Sequence, residues 1–277
     1  MRTLRSPALL GGAGIVVLLV LVALLAPAVA PYDPLGLSGD ALEQPSSSHL
    51  FGTNNIGQDI WSQVLWGTRA SLTVAVGAAT LAVLLGLLVG AGGALVGGGA
   101  DLVASRLVDV SLAVPRLPLL LLASALMGPS RLNVTVLIGL LTWPIMARIL
   151  RSQTLSLRQR GFVASARGFG GGTLYTLRRH VAPALSPMVV AGLVTVAARA
   201  ILLEASLAFL GLADPTSVSW GLMLNKALAH PGIYFTPLWP WWILPAGFAI
   251  TLAVVGFTFL GMGLEPVLNP RWRRTLS

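Results

Sequence analysis

Residues 7–30 read PALLGGAGIVVLLVLVALLAPAVA, with no charged side chain between Arg5 and Asp33. About 20 helical residues, at 1.5 Å rise each, cross a hydrocarbon core roughly 30 Å thick. The run is therefore long enough to span. Two readings of it stay open. It is a retained N-terminal anchor, or a cleaved leader ending in the small-residue pattern Ala28-Val29-Ala30. Its length exceeds the usual apolar region of a leader, which makes residues 1–30 an expected anchor helix. Both readings put the segment after Ala30 on the side of the membrane opposite Arg2 and Arg5.

Apolar runs of the same kind recur over 70–94, 102–127, 132–149, 185–210 and 239–264. Hydrophobic residues make up 55% of the chain and charged ones 10%, with a mean hydropathy of +0.83. Soluble domains carry about 25% charged residues, so there is too little polar surface here to cover a soluble globule. The expected fold class is all-α, a polytopic membrane protein with about six transmembrane helices. The third run is the least regular, with Asp101, Arg106 and Asp109 near its start and Pro115 and Pro118 inside it. Neighbouring helices can tolerate such prolines within one span. The expected division is an anchor over 1–30, an external segment over 31–68, a five-helix core over 69–266 and a tail over 267–277. Segment 31–68 carries Asp33, Asp40, Glu43 and Asp59 and no Lys or Arg. At its end Ile56, Ile60, Trp61, Val64 and Leu65 recur at roughly helical spacing. This suits an amphipathic helix lying on the outer interface, and equally one packed against the rim of the bundle.

Charge sets the orientation. The net charge is +9 and Lys226 is the single lysine. Arg148, Arg151, Arg158, Arg160, Arg167, Arg178 and Arg179 cluster between the fourth and fifth runs with no acid among them. The positive-inside rule places that loop, about 151–184, in the cytoplasm. Arg2 and Arg5 at one end and Arg271, Arg273 and Arg274 at the other agree with cytoplasmic termini. Basic loops on one membrane face account for the positive charge without nucleic-acid binding. Cysteine is absent, which excludes disulfides and thiolate chemistry. No phosphate-binding G-x-x-x-x-G-K-[ST] string occurs, and His49, His180 and His230 have no metal-ligand spacing. The glycine-rich pieces Gly11-Gly12-Ala13-Gly14 and Gly90-Ala91-Gly92-Gly93 sit within apolar runs and read as close helix packing. Arg199 and Glu204 fall inside the fifth run, about 140° apart around a helix. They are candidates for a transport pathway or for burial among helices.

Within the basic loop, Phe162 to Phe169 reads as a short helix stopped by Gly170-Gly171-Gly172, a knob with small side chains that another protein can approach closely. The string Gly161-Phe162-Val163-Ala164-Ser165-Ala166-Arg167-Gly168-Phe169-Gly170, followed by His180-Val181-Ala182-Pro183, resembles the EAA loop of permease subunits of bacterial ABC importers. Four further stretches look like the dipeptide/oligopeptide/nickel permeases. They are Phe51-Gly52-Thr53-Asn54-Asn55-Ile56-Gly57-Gln58-Asp59 with Gly67-Thr68-Arg69-Ala70-Ser71-Leu72, Arg106-Leu107-Val108-Asp109, Glu204-Ala205-Ser206-Leu207-Ala208-Phe209-Leu210-Gly211-Leu212, and Ser219-Trp220-Gly221-Leu222-Met223-Leu224. The ending Leu268-Asn269-Pro270-Arg271 is similar too, and the anchor followed by Pro31-Tyr32-Asp33-Pro34 resembles the C-type member of such a pair.

The resemblance implies a type I ABC importer permease fold in a bacterial cytoplasmic (inner) membrane. It implies a B-type permease partner, two ATPase subunits and an external substrate-binding protein. ATP and Mg²⁺ are held by the ATPases, and this chain binds no cofactor or metal and is no enzyme. The ATPase-coupling residues it implies are Phe162, Val163, Ala164, Ser165, Ala166, Arg167, Gly170 and Pro183. The implied cargo is peptides, or nickel as the second choice. A secondary transporter and a non-transporting scaffold are the rival classes. Five positions depart from the resemblance: Ala164 stands for the family's acid, Ser165 for its next alanine, Ala182 for the leucine before the closing proline, Gln58 for its arginine and Asn54 for its aspartate.

Overall fold

A computed structural model describes residues 6–268; the side chains of Ala164, Arg167 and 266–268 are outside that description. The basic N-terminal residues and the arginines of the tail also lie outside it. The described residues form helices α1 Pro7–Val29, α2 Ile60–Leu85, α3 Gly92–Val96, α4 Gly98–Ala113, α5 Arg116–Met127, α6 Arg131–Arg158, α7 Gly161–Gly168, α8 Thr173–Thr176, α9 Ala182–Phe209, α10 Trp220–Leu228 and α11 Trp239–Leu268. A π-helical turn, Gly86–Ala91, joins α2 to α3, and a second, Leu177–Val181, joins α8 to α9. Five continuous spans result, with α4 and α5 as a bent sixth.

The centre is α2, faced with alanine. Ala75, Ala78, Ala79 and Ala82 are all buried, and α1, α6 and α9 pack around them. Small side chains bring backbones close where no water is available to drive association, so dispersion does the work. A methyl group at Gly86 would collide with Met146 and Ala147, and one at Gly90 with the Ala147 backbone. The pairs Gly77–Thr135, Leu81–Gly139, Gly86–Met146 and Gly90–Ala147 rise together in number along both helices. The Arg158 guanidinium then donates to the Ala94 carbonyl at 2.6 Å. Helices α2 and α6 are therefore parallel. The chain leaving α3 must return across the bundle before α6 can begin, and α4–α5 makes that crossing.

The crossing is not the single span that the apolar run suggests. Helices α4 and α5 meet at 86°. Pro115 disfavours helical geometry at the residue before it, and Val114 is extended (φ −78°, ψ 132°). Pro118 then occupies the first turn of α5, where its missing N–H leaves no helical bond unmade. Two ion pairs fasten α4 to α6. Asp101 takes both Nε and Nη2 of Arg151 at 2.7 Å, and Asp109 takes Arg148 at 2.8 Å. So three arginines of the basic stretch, Arg148, Arg151 and Arg158, serve helix packing.

Helix α9 runs antiparallel to α2, with Gly192 beside Val83 at one end and Glu204 beside Ser71 at the other. Pro183 is the second residue of α9, next to the π turn over Leu177–Val181, which accommodates the proline ring against the carbonyl four residues back. Helix α1 lies along α11, Gly12 against Phe259 and Leu260, Gly256 against Ile15, and Gly263 against Leu9.

The expected separate helix ending segment 31–68 is instead the start of α2, which begins at Ile60. Asp59 caps it by accepting from the Ser62 amide at 2.7 Å, and Ile60 and Leu65 turn inward. The segment before it folds over the bundle as a polar plug. His49 Nδ1 lies 3.0 Å from Asp59, and Gln63 donates to the Pro34 carbonyl and to Gln58. Asn54 donates to Gln58 Oε1 at 2.8 Å, both side chains buried. Asn54 and Gln58, where the resemblance expects an acid and an arginine, thus meet in one hydrogen bond between neutral amides.

Three predictions arise. Gly90→Leu should lower stability by about 3 kcal/mol, as overpacking at a closed contact does. Gly12→Leu should loosen α1 while Gly11→Leu, which faces open space, is tolerated; thermal unfolding in detergent and protease cleavage of α1 check both. Gln58→Arg alone should destabilise by about 3 kcal/mol or more by burying an unpaired guanidinium. Adding Asn54→Asp should restore most of that loss, and a double-mutant cycle on unfolding temperature measures the coupling.

Candidate functional site

Two features away from the close-packed centre carry chemistry: a knob at the end where α6 stops, and a groove between α6, α9 and α11. The knob is α7, eight residues as the glycine pattern suggested. It ends in a left-handed Gly170 (φ 84°), and the Gly171 amide reaches back to the Ala166 carbonyl at 2.9 Å. This is the Schellman arrangement, which satisfies the last carbonyls and stops the helix sharply. Val163 is fully buried beneath the helix. The Phe162 and Tyr175 rings flank His180, with centroids 6.4 Å and 5.6 Å from it. Underneath, then, the knob is anchored.

Its outer surface is bare. Phe169 is 94% exposed, and Gly161, Ser165, Gly168 and Gly170 are exposed around it. Ala166 is half-buried, and Pro183 is exposed at the first turn of α9. Arg160, Arg178 and Arg179 are exposed on the same end of the bundle. The expectations for Ala164 and Arg167 concern side chains outside the described residues. An apolar ring held out on a capped helix, within a collar of cations, can seat in a groove of another protein but can perform no covalent chemistry.

The groove encloses about 610 Å³. Along α9 it is lined by Met188, Ala191, Gly192, Thr195, Arg199 and Leu202, a stripe recurring every three or four residues. Thr142 and Ile145 of α6 and Thr258 and Glu265 of α11 complete its polar and apolar walls. Arg199 is exposed into this space about ten residues before the end of its span. Glu204 lies off the stripe. It is buried, accepts from the Ser71 hydroxyl at 3.1 Å, and so ties α9 to α2. The two intramembrane charges are therefore separated: Arg199 lines a cavity and Glu204 fastens helices. Glu265 and the three threonines carry no signal in the sequence that marks them as groove residues. Only the register of the Arg199 stripe could have pointed to its own neighbours on α9; the facing walls belong to other helices.

The remaining recognisable strings converge at one corner at the plug end. The Trp220 indole donates to the Val64 carbonyl at 3.2 Å and covers Gly67, while Gly221 lies against Ala205 and Ala208. Asn225 donates to the Phe209 carbonyl at 2.7 Å. Among the described residues no group of His, Asp and Glu could hold a metal ion.

Comparison with known proteins agrees with this geometry. Residues 82–274 match the family described as binding-protein-dependent transport system inner membrane component. Residues 1–47 match the N-terminal TM domain of oligopeptide transport permease C. A Brucella suis protein described as a peptide permease is 37% identical over 98% of this chain and 89% of its own length. An Escherichia coli protein described as a D,D-dipeptide transport system permease is 33% identical over 96% of this chain and 88% of its own. The bent crossing, the capped knob and a match over most of the chain lead to one assignment: the chain belongs to the binding-protein-dependent transport system inner membrane component family and has the type I ABC importer permease fold.

Proposed function

We propose that this permease moves peptides inward across the bacterial inner membrane as the C-type half of a pair, with its termini and α7 in the cytoplasm and the plug over 31–59 outside. The observation that carries the coupling assignment is Phe169, fully presented on a helix whose underside is pinned by Val163. Two ATPase subunits that hold ATP and Mg²⁺ supply the motion, and α7 receives it. The groove along α6, α9 and α11 faces the B-type partner. A guanidinium in mid-span is costly against lipid, so the open side of the Arg199 groove must meet water or protein. The apolar outer faces of α4 and α5 extend the surface available to that partner; Leu102, Val103, Leu107, Leu117, Leu122 and Leu126 are all exposed on them. Relatives described as peptide permeases support peptide cargo. An external binding protein delivers the cargo.

Phe169→Ala should weaken capture of the ATPase by about tenfold or more, the loss of one buried aromatic at roughly 2 kcal/mol. Protein folding should be unaffected, because the ring makes almost no contact within the chain. Co-purification and transport-coupled ATP hydrolysis read this; wild-type coupling in the variant would refute the docking role. Arg199→Leu should lower peptide uptake at least tenfold with the assembled complex intact, measured in cells that carry the cognate binding protein.

A further inference from the structure

A second cavity, about 830 Å³, is separate from the Arg199 groove. It lies at the plug end, among the end of α1, the first turns of α2, the start of α6 and the loop before α10. Two cations line it, Arg69 and Arg131. Neither forms an ion pair or a side-chain hydrogen bond among the described residues. Arg69 rests over the Trp66 ring, 5.6 Å from its centroid, which fixes its position without neutralising it.

The carboxylates nearby are already engaged. Asp33, also in the lining, accepts from the Leu35 amide at 2.9 Å. Asp214 accepts from both the amide and the hydroxyl of Thr216. Glu204 is held by the Ser71 hydroxyl. Arg131 is moreover the first residue of a 28-residue helix whose N-cap, Ser130, makes no side-chain cap bond. The positive end of that helix dipole adds to the same wall. The other side of the cavity is apolar, with Pro27 and Ala30 of the α1 end and Val218. Leu24, Leu25 and Val29, along the last turns of that helix, are exposed.

We infer that this cavity is an oxyanion site, in which Arg69 and Arg131 together bind one phosphodiester or carboxylate, and that its occupant is the headgroup of an anionic phospholipid. Guanidinium forks match such oxyanions in geometry and charge. Two arginines without an ion pair among the described residues, beside an exposed apolar helix end, suit a ligand with an anionic head and apolar tail better than a freely soluble ion. The inference concerns binding at the plug end and does not depend on cargo or on coupling to an ATPase.

The test uses the intact complex of this chain with its partner subunits, in nanodiscs of phosphatidylcholine containing phosphatidylglycerol. Native mass spectrometry counts retained lipid, and titration with short-chain phosphatidylglycerol gives its affinity. Wild type should retain phosphatidylglycerol that Arg69→Gln/Arg131→Gln loses, and each single change should weaken binding about tenfold, as loss of a charged hydrogen bond does. Arg131→Lys should keep part of the affinity, and Arg106→Gln, on α4 away from the cavity, all of it. Should Arg69→Gln fail to assemble, Arg131→Gln alone carries the measurement, since its side chain is exposed and unbonded. Equal phosphatidylglycerol retention in wild type and the double variant would overturn the site. Displacement of the lipid by millimolar inorganic phosphate or alanyl-alanine would overturn the lipid as occupant and leave a soluble oxyanion in its place.

Discussion

The architecture depends on the parallel contact of α2 with α6. At Gly86 and Gly90 no side chain separates the two helices, and Met146 and Ala147 fill the space a methyl group would need. Apolar surface alone cannot hold two helices together in lipid, because the tails outside are as apolar as leucine. Close packing of backbones therefore selects partners. Once these two helices are parallel, the chain between them has to cross the bundle, and α4–α5 with its 86° bend is the form that crossing takes. The Arg199 groove is bounded by the same α6 whose other face α2 holds.

Charge plays two distinct parts in this chain. Arg148, Arg151 and Arg158 are fasteners, binding Asp109, Asp101 and the Ala94 carbonyl. They lock the bent crossing to α6 near the end that carries the knob. Arg160, Arg178 and Arg179 remain on the surface around α7. Counting positive charge indicates a side of the membrane but does not separate these two uses, since the acids that engage the fasteners lie some 40 to 50 residues earlier in the chain.

The plug end shows how polar groups are handled at a helix terminus. Asp59 caps α2 and receives His49, while Asn54, Gln58 and Gln63 satisfy one another. Each buried amide has its partner, which removes most of the cost of burying it. Asn54 and Gln58, four residues apart in the chain, meet in one hydrogen bond that carries no charge. Glu204 completes this corner rather than the groove.

Composition and apolar run length were enough to identify an all-α membrane protein with about six spans, because the thickness of a bilayer sets a length that any helix must meet. The short helix ended by Gly170 was likewise readable, since a left-handed stop favours glycine wherever it occurs. The bend at Val114–Pro115 was not readable as such. A proline in a span is tolerated or breaks the helix according to what its neighbours supply, and which helices pack beside it, α3 and α6 against α4 and α6 against α5, is settled only in the folded bundle. The fates of Arg199 and Glu204 differed for the same reason. Their angular separation followed from helix geometry, but which of them met a cavity and which met Ser71 was decided by the packing of α2, α6 and α11 around α9. Local chemistry and membrane thickness act residue by residue and can be read from the chain; the walls of a groove come from several helices and exist only once those helices are packed.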